Sequence, residues 1–348
     1  MTERKILIIT DTHLTDAASE EYRWRVFDFV REELDKGGYT DLFHLGDVLD
    51  KKDKHRSELV NRVVTELIDI SNKYCPITIL AGNHDYVVDR SECFLRFLNE
   101  FENITWIDEP TYWEEDQFLF LPHSRLPENE WEQWLPIINN PALKFIFMHQ
   151  SIIGSKVSNY HELNHGLDPN FFNDVSANII SGDIHLPQDL RNVTYLGTPH
   201  PVSFGDSHQP RMMVIKNDKV SFIDIKTIKR EHIKKAILSF EDLLIDLKEL
   251  KPKDQVKITL QLDKNQLNDW AGYKKQILTY CKEHQLELHD LKMEKVSEDD
   301  ASDEMKEFIK ENVKSLSSED VLRKFASSEK ICDDLFNVGM KLFKGALK

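Results

Sequence analysis

Six short apolar runs, each ending at a turn rich in Asp, His or Gly, constrain this chain more than any other feature. They are KILIIT (5–10), DLFHLG (41–46), ITILAG (77–82), FLFLPH (118–123), KFIFMH (144–149) and NIISGD (178–183). Runs of β-branched, aliphatic and aromatic residues without polar alternation read as strands buried on both faces. Between the first three lie stretches with helical spacing. Trp24, Phe27, Val30 and Arg31 recur at three-to-four spacing in 21–33, and Leu59, Val63, Leu67 and Ile70 do so in 58–70. Strand–helix–strand alternation with short connections implies an α/β layered domain. TYLGTPHPVSFG (194–205) and two period-two runs, MMVIKN and KVSFIDIKT, predict a β-rich finish to that domain near residue 228.

Past residue 228 the texture changes. AILSF, a Leu/Asp/Glu segment, VKITLQL, a helical stretch over Trp270–Tyr280 and LELHDLKME predict a small α+β domain over 229–295. SEDDASDE, within 296–304, reads as an acidic linker. From Met305 to the end at 348 the pattern is helical and amphipathic, with Phe308, Ile309, Val313, Leu322, Phe325, Leu335 and Phe336 on its apolar face. Such a segment is too short for a core of its own. It packs on the body or on another chain, and the acidic linker before it favours a partner.

Charge is distributed unevenly. Residues 229–348 hold 23 basic and 24 acidic side chains, which leaves 22 and 37, a net of −15, to residues 1–228. That half repels a polyanion unless metal ions, a basic patch or a partner offsets it. Four scattered cysteines form no CxxC pair, as in a reducing compartment. No apolar run approaches the roughly 20 residues of a membrane span. The expectation is a soluble cytoplasmic protein with no membrane partner.

The candidate chemistry sits at the strand ends, where an open α/β sheet places its binding crevice. The first run leads into Asp11-Thr12-His13, and the second into Gly46-Asp47-Val48-Leu49-Asp50. The third leads into Gly82-Asn83-His84-Asp85, the fifth ends in His149, and the sixth leads into Gly182-Asp183-Ile184-His185. One strand ending in a carboxylate is ordinary, and five in succession ending in Asp, Asn or His are not. Oxygen and imidazole donors without thiolate suit divalent Mn, Fe, Mg or Zn. Seven such donors fit two ions roughly 3.5–4 Å apart sharing a carboxylate, which together bind a phosphate and activate a water for in-line attack. The glycines at 46, 82 and 182 are expected to allow close backbone approach at each ligand.

Asp11-x-His13, Gly46-Asp47-x-x-Asp50, Gly82-Asn83-His84-Asp85, His149 and Gly182-x-x-His185 together resemble the five motifs of calcineurin-like metallophosphoesterases. HELNHGLDPNFF (161–172) and YLGTPHPVSFG (195–205) narrow the likeness to the SbcD-type nuclease branch, especially the recombination nuclease subunits of T-even-like bacteriophages. The resemblance implies a layered β-sandwich metallophosphoesterase domain over 1–228, a capping domain over 229–295 and a helical partner-docking segment over 305–348.

Carried over by position, it implies that Asp11, His13, Asp47 and His185 hold one ion. Asp47 would bridge to a second ion held by Asn83, His149 and Asp183. Catalytic work would fall to His84, a proton donor rather than a ligand, and to Asp85, which with Asp50 fixes histidine or backbone orientation. It further implies two divalent ions, Mn²⁺ first and Mg²⁺ second. The activity would be exonuclease action on duplex DNA ends and endonuclease action on single strands, in recombination, repair or degradation. The implied partners are an SMC-like ATPase of the SbcC type and a second copy of the chain, in a bacterial cell or phage-infected host.

One departure stands out. The family motif is Gly-His-x-His, and here Asp183 occupies the first His position. A third carboxylate lowers the formal site charge from +2 to +1 and favours hard ions over Zn²⁺. Other readings stay open at this point. They are a phosphatase or cyclic-nucleotide phosphodiesterase using the same metals, and a catalytically weakened scaffold. Lys51, Lys52, Lys54 and Arg56 read equally as a DNA-backbone rim or as a solvated helix entrance. His44, His123, His161, His165 and His200 read mainly as structural groups, with His123 and His161 as candidates to line a cleft. Trp24 and Phe27 read as packing on the sheet, with an exposed dimer stripe as the rival.

Overall fold

The computed structural model describes residues 4–87, 92–158, 161–204, 206, 208–237, 239–262 and 264–295. The acidic linker 296–304 and the helical segment 305–348 lie outside the described residues. The chain divides into two compact units, Met1–Glu231 with Lys251–Val256, and His232–Leu250 with Lys257–Lys348.

The first unit is built on two six-stranded sheets. One orders its strands β14-β13-β1-β2-β3-β4, where β1 is Lys5–Ile9, β2 Asp41–His44, β3 Ile77–Leu80, β4 Ile104–Ile107, β13 Arg211–Lys216 and β14 Lys219–Asp224. The other runs β11-β12-β10-β7-β6-β5, with β5 Thr111–Trp113, β6 Phe118–Leu121, β7 Phe145–His149, β10 Asn178–Gly182, β11 Gln188–Leu190 and β12 Val193–Tyr195. A two-stranded ribbon joins β8 (Lys156–Ser158) to β9 (His161–Glu162). β1 to β4 are mutually parallel, as are β6, β7, β10 and β12. The β13–β14 hairpin turns on Asn217 and Asp218, both at positive φ (52° and 61°). That is the two-residue primed turn for which Asn and Asp are well suited.

Strand alternation explains the layering. In β1, Ile6 and Ile8 join Phe43, Phe120, Phe145, Phe147 and Ile180 in a core drawn from both sheets. Leu7 and Ile9 face the other way, onto Val26, Phe27 and Val30 of α1 (Arg25–Leu34) and Val63, Leu67 and Ile70 of α2 (Ser57–Lys73). The outer face of the second sheet, with Leu119, Leu121, Ile146, Met148 and Ile179, is covered by Trp131, Ile138 and Phe172. Both faces of the central strands are therefore buried, which is why their sequences lack polar alternation. Trp24 and Phe27 belong to this core, and the Trp24 indole N–H donates to the Thr15 carbonyl at 2.9 Å. The sheet-packing reading of that pair holds.

Most of the three-stranded sheet β15-β16-β17 (Arg230–Ala236, Gln255–Leu262, Glu287–Lys295) belongs to the second unit, with helices Phe240–Leu247 and Trp270–Glu283 between its strands. Its core includes Leu243, Leu247, Ile258, Leu260, Leu262, Ile277 and Cys281. The Asp242 carboxylate accepts the Ser239 N–H at 2.9 Å and caps the first helix. Among the described residues no helix is long and apolar enough to cross a membrane.

Candidate metal centre

The motif residues lie at or just past the C-terminal ends of β1, β2, β3, β7 and β10, so two sheets contribute to one crevice. Backbone bonds set the loops side by side. Asp11 N–H donates to the Gly46 carbonyl (2.9 Å), His13 N–H to that of Asp47 (3.0 Å) and Leu14 N–H to that of Val48 (2.9 Å). The sheets are then tied across the crevice by His149 Nδ1 on the Leu45 carbonyl (2.6 Å) and by the Asp183 N–H on the Asp11 carboxylate (3.2 Å).

This crowding demands special backbone. Asp11, His13, Asp47 and Asp183 all have positive φ (51°, 41°, 57° and 78°), a region Asp enters more readily than most L-residues. Gly46 has φ of 99°, and a Cβ there would strike the His149 ring and the Gly82 backbone. A Cβ on Gly82 would collide with Asp47. The expected close approach is thus met at both positions.

The seven candidate ligands form one cluster, in which Asp11, His13, Asp47 and His149 are buried and Asn83, Asp183 and His185 half-buried. His13 Nε2 lies 3.0 Å from His185 Nε2, 3.6 Å from Asp47 Oδ2 and 3.9 Å from Asp11 Oδ1. On the other side of Asp47, His149 Nε2 lies 3.5 Å from Asp47 Oδ1, 3.2 Å from Asn83 Oδ1 and 3.8 Å from Asp183 Oδ1. Ligand atoms of Asp11, His13 and His185 fall within 4.8 Å of one another, as do those of Asp11, Asp47 and His149. Asp47 thus faces both halves. Asp183 approaches the half that contains His149, although its backbone N–H is held by Asp11.

These residues fit divalent cations on chemical grounds. The Asn83 carbonyl oxygen points at the acceptor oxygens of the Asp47 carboxylate. Either the amide turns to donate to Asp47 Oδ2 at 2.9 Å, or a cation sits among these atoms. A carbonyl can only accept, so His149 uses Nδ1–H on Leu45 and directs Nε2 into the cluster, the usual arrangement of a ligating imidazole.

Electrostatics points the same way. Burial, joined by the charges of Asp47 and Asp183, pushes the Asp11 carboxyl up to about 7. Burial alone would lower His149, but Asp47, Asp11 and Asp183 overcome it and hold its imidazolium well above the usual range. Burial, with the neighbouring His185, His84 and Arg23, keeps His13 neutral. The cluster calls for positive charge and holds a proton where a metal ion would otherwise supply it.

His84 lies at the edge of this cluster. Its backbone N–H donates to Asp47 Oδ1 (2.8 Å), and its Nδ1 meets the Asp50 carbonyl at 2.5 Å. A ring nitrogen still comes within 4.8 Å of the His13 and Asp47 ligand atoms. Asp85 is buried beneath, where Oδ2 accepts the N–H groups of Asp47 (2.9 Å) and Gly82 (2.8 Å) and Oδ1 that of Val48 (3.3 Å). Its carboxylate therefore grips the two loops that carry Asp47 and Asn83.

The structure adds a residue that the sequence did not single out. Arg23, 3% exposed on its side chain, donates to the His13 carbonyl (2.5 Å), to Asp50 Oδ1 (3.0 Å) and to Glu20 (3.0 Å). One guanidinium thereby ties the His13 turn to the residue whose carbonyl holds His84. Its only sequence signal, a basic residue at a helix entrance, is shared with many surface positions.

The basic run is divided by the fold. Lys52 lines a cavity beside Asn83, whereas Lys51, Lys54 and Arg56 line a separate open depression, where Arg56 pairs with Asp16 at 3.3 Å. His123 stands 6.4 Å from His149, ring to ring, while His161 is exposed on the β8–β9 ribbon. His44 bonds Thr12 Oγ1 at 2.9 Å, and His200 is buried edge-on against Tyr22.

Comparison with known proteins agrees with this geometry. The family model described as calcineurin-like phosphoesterase matches residues 4–223. Exonuclease subunit 1 of Enterobacteria phage T4 is 26% identical over 235 residues, covering 64% of this chain and 68% of that protein. Among solved structures, the nuclease MPE of Pseudomonas putida is 16% identical over 63% of this chain and 87% of its own, with a TM-score of 0.29. GAP50, described as the anchor in the inner membrane complex of Plasmodium, is 12% identical over 66% and 89%, with a TM-score of 0.42. With a family match over residues 4–223, most of its length, this chain belongs to the calcineurin-like phosphoesterase family.

Proposed function

We propose that the protein is a two-metal DNA nuclease, with Asp11, His13, Asp47 and His185 holding one divalent ion and Asp47, Asn83, His149 and Asp183 the other. The observation that carries this reading is the buried carboxylate–imidazole cluster in which Asp47 faces both halves, in a chain related to a phage exonuclease subunit. Ions bound there would neutralise the phosphate oxygens and lower the pKa of an attacking water.

The chain's own residues supply the rest. The carbonyl of Asp50 holds His84 Nδ1–H and leaves Nε2 to protonate the departing sugar oxygen. Asp50 is in turn fixed by Arg23, and Asp85 keeps the Asp47 and Asn83 loops in register. Three carboxylates at the site favour Mn²⁺ or Mg²⁺ over Zn²⁺. No sequence-reading element is visible in the sequence, so recognition rests on strand ends and backbone, with duplex ends degraded and single strands cut internally.

The acidic balance of residues 1–228 supports a partner that holds the DNA. That partner is an SMC-like ATPase of the SbcC type, docked through 305–348, with the nuclease chain paired as a homodimer. The test is cleavage of end-labelled duplex and single-stranded DNA by the purified chain with Mn²⁺, with Mg²⁺ and with chelator, beside His84→Ala. The expected result is Mn²⁺-dependent degradation lost in the variant. Turnover of a small phosphomonoester with none on DNA, alone or with the ATPase, refutes the reading.

A further inference from the structure

Beside the metal centre, in the first unit, opens a cavity of about 580 Å³ that shares Asn83 with it. Its volume falls in the range of small-molecule sites. Tyr86 gives it one flat, half-exposed ring, Pro122 and Trp131 back it from the buried side, and Asn129 and Gln133 bring amide donors and acceptors. The Tyr86 hydroxyl donates to the Asp108 carbonyl at 3.2 Å, and the His123 N–H donates to the Ala81 carbonyl at 2.9 Å.

Charge decides which part of a nucleotide belongs here. Two basic side chains, Lys52 and Arg125, share the lining with three acidic ones, Asp108, Glu109 and Glu130. A phosphate would meet a net negative wall, so phosphates are left to the metal centre. A flat neutral ring with hydrogen-bonding edges meets none of that repulsion and matches both the Tyr86 ring and the amides.

We propose that this cavity receives the nucleobase of the nucleotide whose phosphate lies on the metal centre. The inference rests on the nuclease reading above. Base contact of this kind is sequence-tolerant, because every base offers a flat face. It gives the enzyme a means to hold a frayed terminal nucleotide and distinguishes a nucleotide substrate from a bare phosphodiester.

The experiment compares two chromogenic diesters on the full chain with Mn²⁺, methyl 4-nitrophenyl phosphate, which has no ring besides the shared leaving group, and the 4-nitrophenyl ester of thymidine 5′-monophosphate. The nucleoside ester is expected to show a KM lower by about tenfold. Asn129→Trp and Gln133→Trp, both at exposed positions where the fold is undisturbed, fill the cavity and bring the two KM values together. Equal KM values in the unmodified chain, or a difference that persists in both variants, overturn the proposal. If neither ester nor DNA is hydrolysed, the nuclease reading fails separately. The cavity is then judged by equilibrium dialysis with Mn²⁺, where a preference of about tenfold for thymidine 5′-monophosphate over deoxyribose 5-phosphate supports it. Equal binding of the two overturns it.

Discussion

Replacing Asp85 by Asn tests whether the cluster is organised from below. The carboxylate accepts three backbone N–H groups at 2.9, 2.8 and 3.3 Å, two of them on Oδ2. An Asn whose oxygen takes the Oδ2 position keeps the bonds from Asp47 and Gly82 without their charge assistance, a loss of about 1 kcal/mol each. Its NH₂ group then faces the Val48 N–H, leaving a buried donor unpaired at a further cost of about 1–3 kcal/mol. Relief of repulsion with Asp47 subtracts from the sum, since burial and that charge push Asp85 up to about 7.

The net expectation is a loss of about 2–4 kcal/mol in the metal-free chain, read by urea denaturation in chelator. Asp85→Ala leaves all three donors unpaired and loses more. Because the Asp47 and Asn83 loops lose their common anchor, Mn²⁺ affinity by isothermal titration calorimetry falls about 10–100-fold in Asp85→Asn. A stability change under about 0.5 kcal/mol with unchanged Mn²⁺ affinity would refute the reasoning.

Other outcomes follow from the same geometry. Gly82→Ala drives a Cβ into Asp47, so it costs about 1–3 kcal/mol and weakens Mn²⁺ binding, both read in the same two assays. Asp183→His restores a softer donor and raises Zn²⁺ affinity relative to Mn²⁺; an unchanged ratio by competition titration removes Asp183 from the ligand set. His44 is lowered to about 3 by burial and by the charge on His149, so the unfolded chain binds the extra proton between pH 6.5 and 3. Stability contributed by this group is complete above pH 6.5 and falls with acid by about 1.4 kcal/mol per pH unit, a slope that His44→Gln removes from denaturation curves in chelator. Arg23→Lys keeps a charge but cannot span His13, Asp50 and Glu20 together, so kcat on DNA falls more than KM changes.

The strands bearing the ligands were legible because each is buried on both faces and ends at a turn bearing polar donors. β4 (Ile104–Ile107) and β5 (Thr111–Trp113) were not legible. They are short edge strands, ITWI and TYW, of four and three residues. The helical spacing read over 21–33 includes a 3₁₀ segment, Ala18–Trp24, before α1 begins at Arg25, because one buried face satisfies either winding. At the site, residue types and order named the candidate ligands. The supporting contacts of Arg23, the Leu45 carbonyl and the Asp85 grip depend on which loops the fold sets side by side, and local sequence does not encode that.

The left-handed backbone at Asp11, Asp47 and Asp183 has a consequence for how this site tolerates change. In the metal-free chain these residues hold an uncommon φ, so the folded state stores free energy at its ligands. Glycine at Asp183 would release that strain, which places metal binding and bare stability in opposition. Drift without selection for catalysis would therefore run downhill towards glycine or asparagine at these positions. Their persistence as aspartate in a lineage would itself be a record of use.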